Sequence, residues 1–153
     1  MRFYVIEPEV AGGWGENTIV ADSSVHPPRV TKLHYKFDGW LGDVLLESFP
    51  CYIVTEAAKE NIKAMAATGV KFDEVEISTS DEFDDVSPGL QLPRFAWLQV
   101  AGKAGQDDFG IAPAPDFRLV ISQRVLDLLK SMGVSNASIK EFERPGIPES
   151  THQ

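Results

Sequence analysis

The sequence predicts a single α+β domain in which a mixed sheet carries two N-capped helices on one face. Three observations predict this class: a length of 153 residues, an apolar fraction of 43%, and two segments that repeat one strand–helix–strand pattern. A chain of this length buries roughly 70% of its unfolded surface, so it needs neither metals nor disulfides for a core. We expect the domain to span residues 1–144 and the tail 145–153 to fray.

The repeated pattern consists of an apolar run, a helix N-cap residue, an amphipathic helix and a glycine. The N-cap residues are Thr55 and Ser122, and the glycines expected to end the helices are Gly69 and Gly133. A β-prone stretch follows each glycine. The two segments therefore predict a strand–helix–strand pseudo-repeat whose helices pack on the same face of the sheet.

The other strands are predicted from apolar or alternating runs. Apolar and polar residues alternate in the later part of residues 29–37, which predicts a strand that buries Tyr35 and places His34 on its polar face. A short helix is expected to begin near Asp43, which can cap it. Strands are expected near residues 3–6, 30–37, 52–54, 95–100 and 119–121. The core candidates are Ile53, Val54, Ile62, Met65, Phe95, Trp97, Leu98, Leu119, Ile121, Val125, Leu128 and Leu129.

The chain is acidic, with 14 Lys and Arg against 23 Asp and Glu and a net charge of −9. Such a field repels nucleic-acid phosphates and anionic membranes and attracts basic proteins. The charge is equally typical of proteins that are acidic for solubility. No apolar window approaches the length of a membrane span, and the first residues do not resemble a signal peptide. We therefore expect a cytoplasmic protein that binds neither nucleic acid nor membrane.

The acidic residues concentrate in one segment, where seven carboxylates lie among residues 73–85 and no Lys or Arg occurs from 72 to 93. One interpretation is a solvated loop. The other is an interaction surface, in which Phe83 is an aromatic anchor rimmed by carboxylates. Trp14, in a Gly-rich loop, is a second expected contact. The predicted partner-binding residues are Trp14, Asp81, Glu82, Phe83, Asp84 and Asp85.

No motif in the sequence indicates catalysis. The three histidines and the single cysteine do not have zinc-ligand spacing, and neither a nucleophile elbow nor a phosphate-binding loop is present. Cys51 lies between Pro50 and Tyr52, where a buried small hydrophobe is expected. We therefore expect no catalytic residues, no bound metal and no cofactor.

Three segments carry a family resemblance: residues 40–45, residues 105–109 and the strand–helix segment 119–134. In these segments the chain resembles the immunity proteins of bacterial polymorphic-toxin systems, especially the eleventh group of that series. The resemblance covers about the C-terminal two-thirds of the chain. It implies a non-enzymatic protein that binds a cognate toxin and occludes its active site or substrate path. A nuclease toxin would be a basic partner suited to the net charge.

Two alternatives remain open at this point. One is a small metal-dependent hydrolase or nuclease that uses Asp43, Asp107 and Asp108 around a metal ion. The other is a homodimeric interaction module that has no toxin partner.

Overall fold

The structure, a computed structural model, describes residues 1–143 of the chain. These residues form three helices packed against sheets, which confirms the α+β class. The helices are α1 (Glu56–Ala64), α2 (Asp81–Val86) and α3 (Gln123–Met132). The strands are β1 (Phe3–Glu7), β2 (Gly12–Trp14), β3 (Ile19–Asp22), β4 (Arg29–Lys32), β5 (His34–Phe37), β6 (Leu45–Ser48), β7 (Cys51–Thr55), β8 (Val70–Asp73), β9 (Glu76–Thr79), β10 (Phe95–Val100), β11 (Phe109–Ile111), β12 (Leu119–Ser122) and β13 (Ser138–Glu141). The tail 145–153, expected to fray, lies outside the described residues.

The strands divide among four sheets, where one mixed sheet was expected. Two sheets have four strands each, in the antiparallel orders β11-β12-β1-β13 and β6-β7-β10-β8. The third sheet has the order β2-β5-β9, in which β5 and β9 are parallel, and β3 with β4 forms a two-stranded ribbon. Strands β7 and β12 of the repeat lie in different sheets, because β7 pairs with β10 and β12 pairs with β1. Local patterning predicts a strand but not its partner.

Both predicted N-caps are confirmed. The Thr55 hydroxyl accepts a hydrogen bond from Ala58 N–H at 3.2 Å, and the Ser122 hydroxyl accepts one from Val125 N–H at 3.4 Å. Each bond satisfies one of the free N–H groups in the first helical turn. The caps therefore fix where α1 and α3 leave their strands.

The predicted glycine stop is confirmed for α3 and wrong for α1. Gly133 is the C-cap residue of α3 and has a φ of +126°. Helix α1 ends earlier, with Met65 as its C-cap residue, and Ala66 already has a φ of +52°. Gly69 lies further on, in the turn that leads into β8, where its own φ is +79°. The chain thus leaves α1 through a left-handed alanine, which sequence propensity disfavours.

The core has two main parts. Helices α1 and α3 contact each other and bury Ile62 and Leu129 against the two four-stranded sheets. A second cluster, rich in aromatic residues, lies around Tyr35 and Phe37 of β5. Ten of the twelve core candidates are buried, while Met65 and Leu128 are only half-buried.

The helix expected near Asp43 is not present, and this prediction is wrong. Residues 40–44 are irregular and lead directly into β6. The buried Asp43 carboxylate instead accepts hydrogen bonds from Ser135 N–H at 3.0 Å, Asn136 N–H at 2.8 Å and the Asn136 side-chain amide at 2.9 Å. Asp43 therefore caps a turn that lies more than ninety residues away along the chain, where no local pattern reveals it.

Candidate functional site

The C-terminal part of the acidic segment, residues 81–85, belongs to a short helix, α2, and not to an irregular loop. The Ser80 hydroxyl accepts a hydrogen bond from Phe83 N–H at 3.2 Å and caps the helix. Phe83 is only 2% exposed and packs edge-on against Phe37, with ring centroids 6.3 Å apart. The prediction of Phe83 as an exposed anchor is therefore wrong, because burying its ring in the aromatic cluster is what holds α2 on the domain.

The four carboxylates of α2 remain on the surface. Asp81, Glu82, Asp84 and Asp85 are all exposed, as predicted. No Lys or Arg of residues 1–143 forms an ion pair with any of them. Helix α2 therefore presents four negative charges that the described part of the chain leaves unpaired, on a backbone fixed from beneath by Phe83.

A cleft of about 370 Å³ joins this acidic helix to exposed apolar side chains. Val10 is 67% exposed and Leu41 is 73% exposed, and Glu82 of α2 lines the same cleft. Exposed aliphatic side chains beside charged residues are typical of protein contact surfaces. The full lining is Glu9, Val10, Ala11, Gly12, Asp38, Gly39, Trp40, Leu41 and Glu82. We define the acidic–apolar face as Val10, Asp38, Trp40, Leu41 and the four carboxylates of α2.

The loop that carries Leu41 is held by a buried carboxylate. Glu9 is 6% exposed, and its side chain accepts hydrogen bonds from Leu41 N–H at 2.6 Å and Asp43 N–H at 3.2 Å. The indole N–H of Trp40 donates to the Asp43 carbonyl at 3.0 Å. Leu41 is therefore exposed on a fixed backbone, which lowers the entropy lost when a partner covers it.

Trp14 does not line this cleft. It ends strand β2 opposite Tyr35, is 36% exposed, and its side chain reaches the thiol of Cys51. Cys51 is buried, as expected, and burial raises the pKa of its thiol to about 12. The thiolate that a nucleophile requires is therefore suppressed at neutral pH. Partner contact by Trp14 stays a prediction.

Asp108 is the centre of a buried polar network. Its carboxylate accepts two hydrogen bonds from the Arg124 guanidinium, at 2.9 and 2.6 Å, and one from the Ser122 hydroxyl at 2.6 Å. Thr68 N–H donates to it at 2.9 Å. The hydrogen bonds from Arg124 hold the pKa of the Asp108 carboxyl well below its usual range. Asp108 thus links the turn after α1 to the start of α3.

The aspartates of the hydrolase alternative do not converge on a metal site. Asp43 and Asp108 have separate sets of hydrogen-bond donors, and Asp107 accepts a hydrogen bond from Lys103 N–H at 2.7 Å. Within residues 1–143 no group of three or more His, Cys, Asp or Glu side chains is arranged to hold a metal ion. Asp43 and Asp108 join distant segments of the fold, and Asp107 holds its own loop.

His34 is buried, and the prediction that it lies on a polar face is wrong. The turn at residues 15–18 lies over the His34 ring, and side chains of the neighbouring strand β9 flank it, which leaves His34 2% exposed. Its Nδ1 accepts a hydrogen bond from Asn17 N–H at 3.2 Å, and its Nε2 lies 2.7 Å from the Ser78 hydroxyl. With Nδ1 as acceptor, Nε2 carries the N–H and donates a hydrogen bond to the Ser78 hydroxyl. This polarity is opposite to the one that activates a serine nucleophile.

No known protein-family model matches the chain, and no curated protein matches it in sequence. The resemblance to immunity proteins therefore stays a prediction. The longest of the three helices in residues 1–143 has ten residues, and none of them has the length and apolar character needed to cross a bilayer. Sequence analysis missed Val10 and Leu41 as contact residues, because neither belongs to a periodic apolar pattern that would predict which way its side chain points.

Proposed function

We propose that this protein is a non-enzymatic immunity protein that acts in the cytoplasm and neutralises a cognate, basic protein toxin. The observation that carries the proposal is the acidic–apolar face, where Glu82, one of the four unpaired carboxylates of α2, shares a cleft with the exposed side chains of Val10 and Leu41. Such a surface combines charge for recognition with apolar area for affinity.

The two parts of the face have different roles in the proposal. The carboxylates of α2 raise the rate of encounter with a basic surface and favour one orientation, an effect that salt screens. The aliphatic side chains of Val10 and Leu41 lose their water on contact, at about 25 cal/mol per Å² of apolar surface buried. Mutations in the first part should therefore change mainly the association rate, and mutations in the second part the dissociation rate.

Neutralisation by this face requires no chemistry from the protein itself. A nuclease binds the phosphates of its substrate with Lys and Arg side chains, and those side chains also pair with carboxylates. Seating α2 across such a substrate path would occupy its cations and exclude the nucleic acid. The rigid attachment of α2 through the buried Phe83 ring suits this role, because little conformational entropy is lost on binding.

The test is co-expression with the protein encoded by the neighbouring gene, scored by its toxicity alone, by growth rescue and by co-purification. The test variant is Glu82→Lys with Asp85→Lys, both on exposed positions of α2. The matched control is Glu60→Lys with Asp127→Lys, at exposed positions of α1 and α3 that change the net charge by the same amount. We expect the α2 pair to weaken binding by roughly tenfold or more, about 1.4 kcal/mol, and the control pair to preserve rescue.

A second variant separates the apolar part from the charged part. Leu41→Asp changes a side chain that is 73% exposed, so the fold should tolerate it, whereas a bound partner should not. Circular dichroism of every variant checks the fold. Equal loss of affinity in the α2 pair and the control pair would show that only the overall charge matters. It would refute the assignment of the binding site to the acidic–apolar face. Wild-type protein that neither rescues growth nor forms a complex would refute the immunity function itself.

A further inference from the structure

A groove of the opposite charge lies between helix α1 and strand β8. Its volume is about 410 Å³, and Lys59, Lys63 and Lys71 line it together with Ile62, Val70 and Phe72. Among residues 1–143 no carboxylate lines the groove, although acidic residues outnumber basic ones across the chain. The groove is therefore positively charged, whereas the chain as a whole is negatively charged. Part of the floor of the groove is apolar.

Two of the three lysines have no ion-pair partner among the described residues. Lys59 lies 3.6 Å from the Glu56 carboxylate one turn earlier on α1. Lys63 and Lys71 are exposed, and neither forms an ion pair with residues 1–143. An anionic ligand would thus meet two free ammonium groups, one from the helix and one from the strand.

Strand β8 is also the edge of its sheet. It pairs with β10 on one side, and no other strand of the described chain pairs with it on the other. An unpaired strand edge accepts an added strand through backbone hydrogen bonds, while alternate side chains of the added segment enter neighbouring pockets. In β8 the half-buried Val70 and Phe72 alternate with the exposed Lys71 and Asp73.

A lysine on an edge strand also protects a sheet from unwanted pairing, and Lys71 alone would serve that purpose. Edge protection does not account for Lys59 and Lys63, because both belong to α1 and not to the strand. The shared feature of the three lysines is the groove that they line. A ligand of opposite charge accounts for all three.

We propose that this lysine groove docks an acidic, extended segment of a partner protein, which adds as a strand to the free edge of β8. Carboxylates on one face of the added strand pair with Lys71, and apolar side chains on its other face cover Val70 and Phe72. Lys63, on the helix beside that second face, attracts the negative charge of the segment at longer range. The proposal does not depend on the immunity function, because it concerns a separate surface of opposite charge that would bind a partner of opposite chemistry.

The test uses a dye-labelled synthetic peptide of alternating Glu and Val residues, titrated with the full chain and followed by fluorescence anisotropy. We expect saturable binding that weakens as salt is raised, since the contacts are between charges at the surface. A peptide of alternating Lys and Val should not bind. Failure of the acidic peptide to bind at millimolar protein, or equal binding of the basic peptide, overturns the proposal.

Two variants with the same change in net charge locate the site. Lys63→Glu with Lys71→Glu should weaken binding by roughly tenfold or more, whereas Lys130→Glu with Lys140→Glu, at exposed positions outside the groove, should leave it within about twofold. Hydrogen exchange of backbone amides gives a second readout. Peptide binding should slow exchange in residues 70–73, and protection confined to another segment, or equal weakening in both variant pairs, overturns the assignment.

Discussion

Replacing Asp108 with Asn tests whether the buried network around this carboxylate holds the two halves of the repeat together. The substitution preserves the shape of the side chain and removes its charge. An amide has one accepting oxygen, whereas the carboxylate uses both oxygens to accept from Arg124, Ser122 and Thr68. At least one donor therefore faces the new NH₂ group without an acceptor.

The size of the effect follows from these contacts. A hydrogen bond to a charged group contributes about 1.5–3 kcal/mol, and a buried group left unpaired costs about 1–3 kcal/mol. The side chain of Asp108 is 7% exposed, but that of Arg124 is 45% exposed, so water weakens their ion pair. We expect Asp108→Asn to lower the free energy of unfolding by about 3 kcal/mol. For a chain of this size the corresponding fall in Tm is roughly 6–12 °C.

The loss should depend on pH in a defined direction. The pKa of Asp108 is lowered in the folded protein, so its ionised form stabilises the fold above the unfolded-state pKa of about 3.9. That contribution disappears as the pH falls through the lowered folded-state pKa. Urea unfolding of both proteins should show the full difference at pH 7 and a progressively smaller one below about pH 4.

Asp127→Asn is the matched control for this prediction. Asp127 is exposed, and within residues 1–143 its side chain accepts a hydrogen bond only from the Gln123 amide, at 2.9 Å. Its replacement should change the free energy of unfolding by less than about 0.5 kcal/mol. The reasoning is refuted if Asp108→Asn costs no more than this control, or if its cost is the same at pH 7 and below pH 4.

Two further variants test other parts of the fold. Gly15→Ala places a Cβ 2.2 Å from Nδ1 of the buried His34 ring, and this overpacking should cost about 2 kcal/mol in urea unfolding. Burial, reinforced by the Glu7 carboxylate, raises the pKa of Glu47 to about 7, so the folded state binds the extra proton between about pH 4.5 and 7. Stability should therefore fall as the pH rises through that window, and Glu47→Gln should remove this slope and gain about 1 kcal/mol above pH 7.

Each of these variants has a control. A Cβ at Gly13 meets nothing within 4 Å, so Gly13→Ala should leave stability within about 0.5 kcal/mol. An equal loss in Gly13→Ala and Gly15→Ala would show that backbone entropy, and not the His34 ring, is responsible. Glu60→Gln, at an exposed position of α1, should not alter the pH profile. A profile that retains its slope in Glu47→Gln would contradict the assignment to Glu47.

The repeat shows how far local chemistry predicts this fold. Thr55 and Ser122 begin α1 and α3 as expected, because an N-cap acts on N–H groups only two or three residues away. The predicted end of α1 was wrong, because the chain turns at Ala66 in a left-handed conformation. Packing imposes this conformation although alanine disfavours it. The pairing of β7 with β10 and of β12 with β1 was also not predictable, because strand patterns carry no partner information.

The candidate site shows the same division. The acidic character of residues 81–85 and the exposure of their carboxylates follow from sequence alone. Helical periodicity cannot be recognised in six residues, so the inward orientation of Phe83 was missed. Val10 and Leu41 became part of the site only because Glu9 fixes the loop at residue 41 beside the chain leaving β1.

The sequence is sufficient to predict the α+β class, the N-caps of the two longer helices, most of the core and the location of the negative charge. All of these depend on composition or on interactions between residues a few positions apart. The folded structure was needed to find the four sheets, the buried roles of Asp43, Phe83 and His34, and the juxtaposition of charge with exposed apolar side chains. The physical reason is that each of these depends on contacts between distant segments, and such contacts leave no periodic signal in the chain.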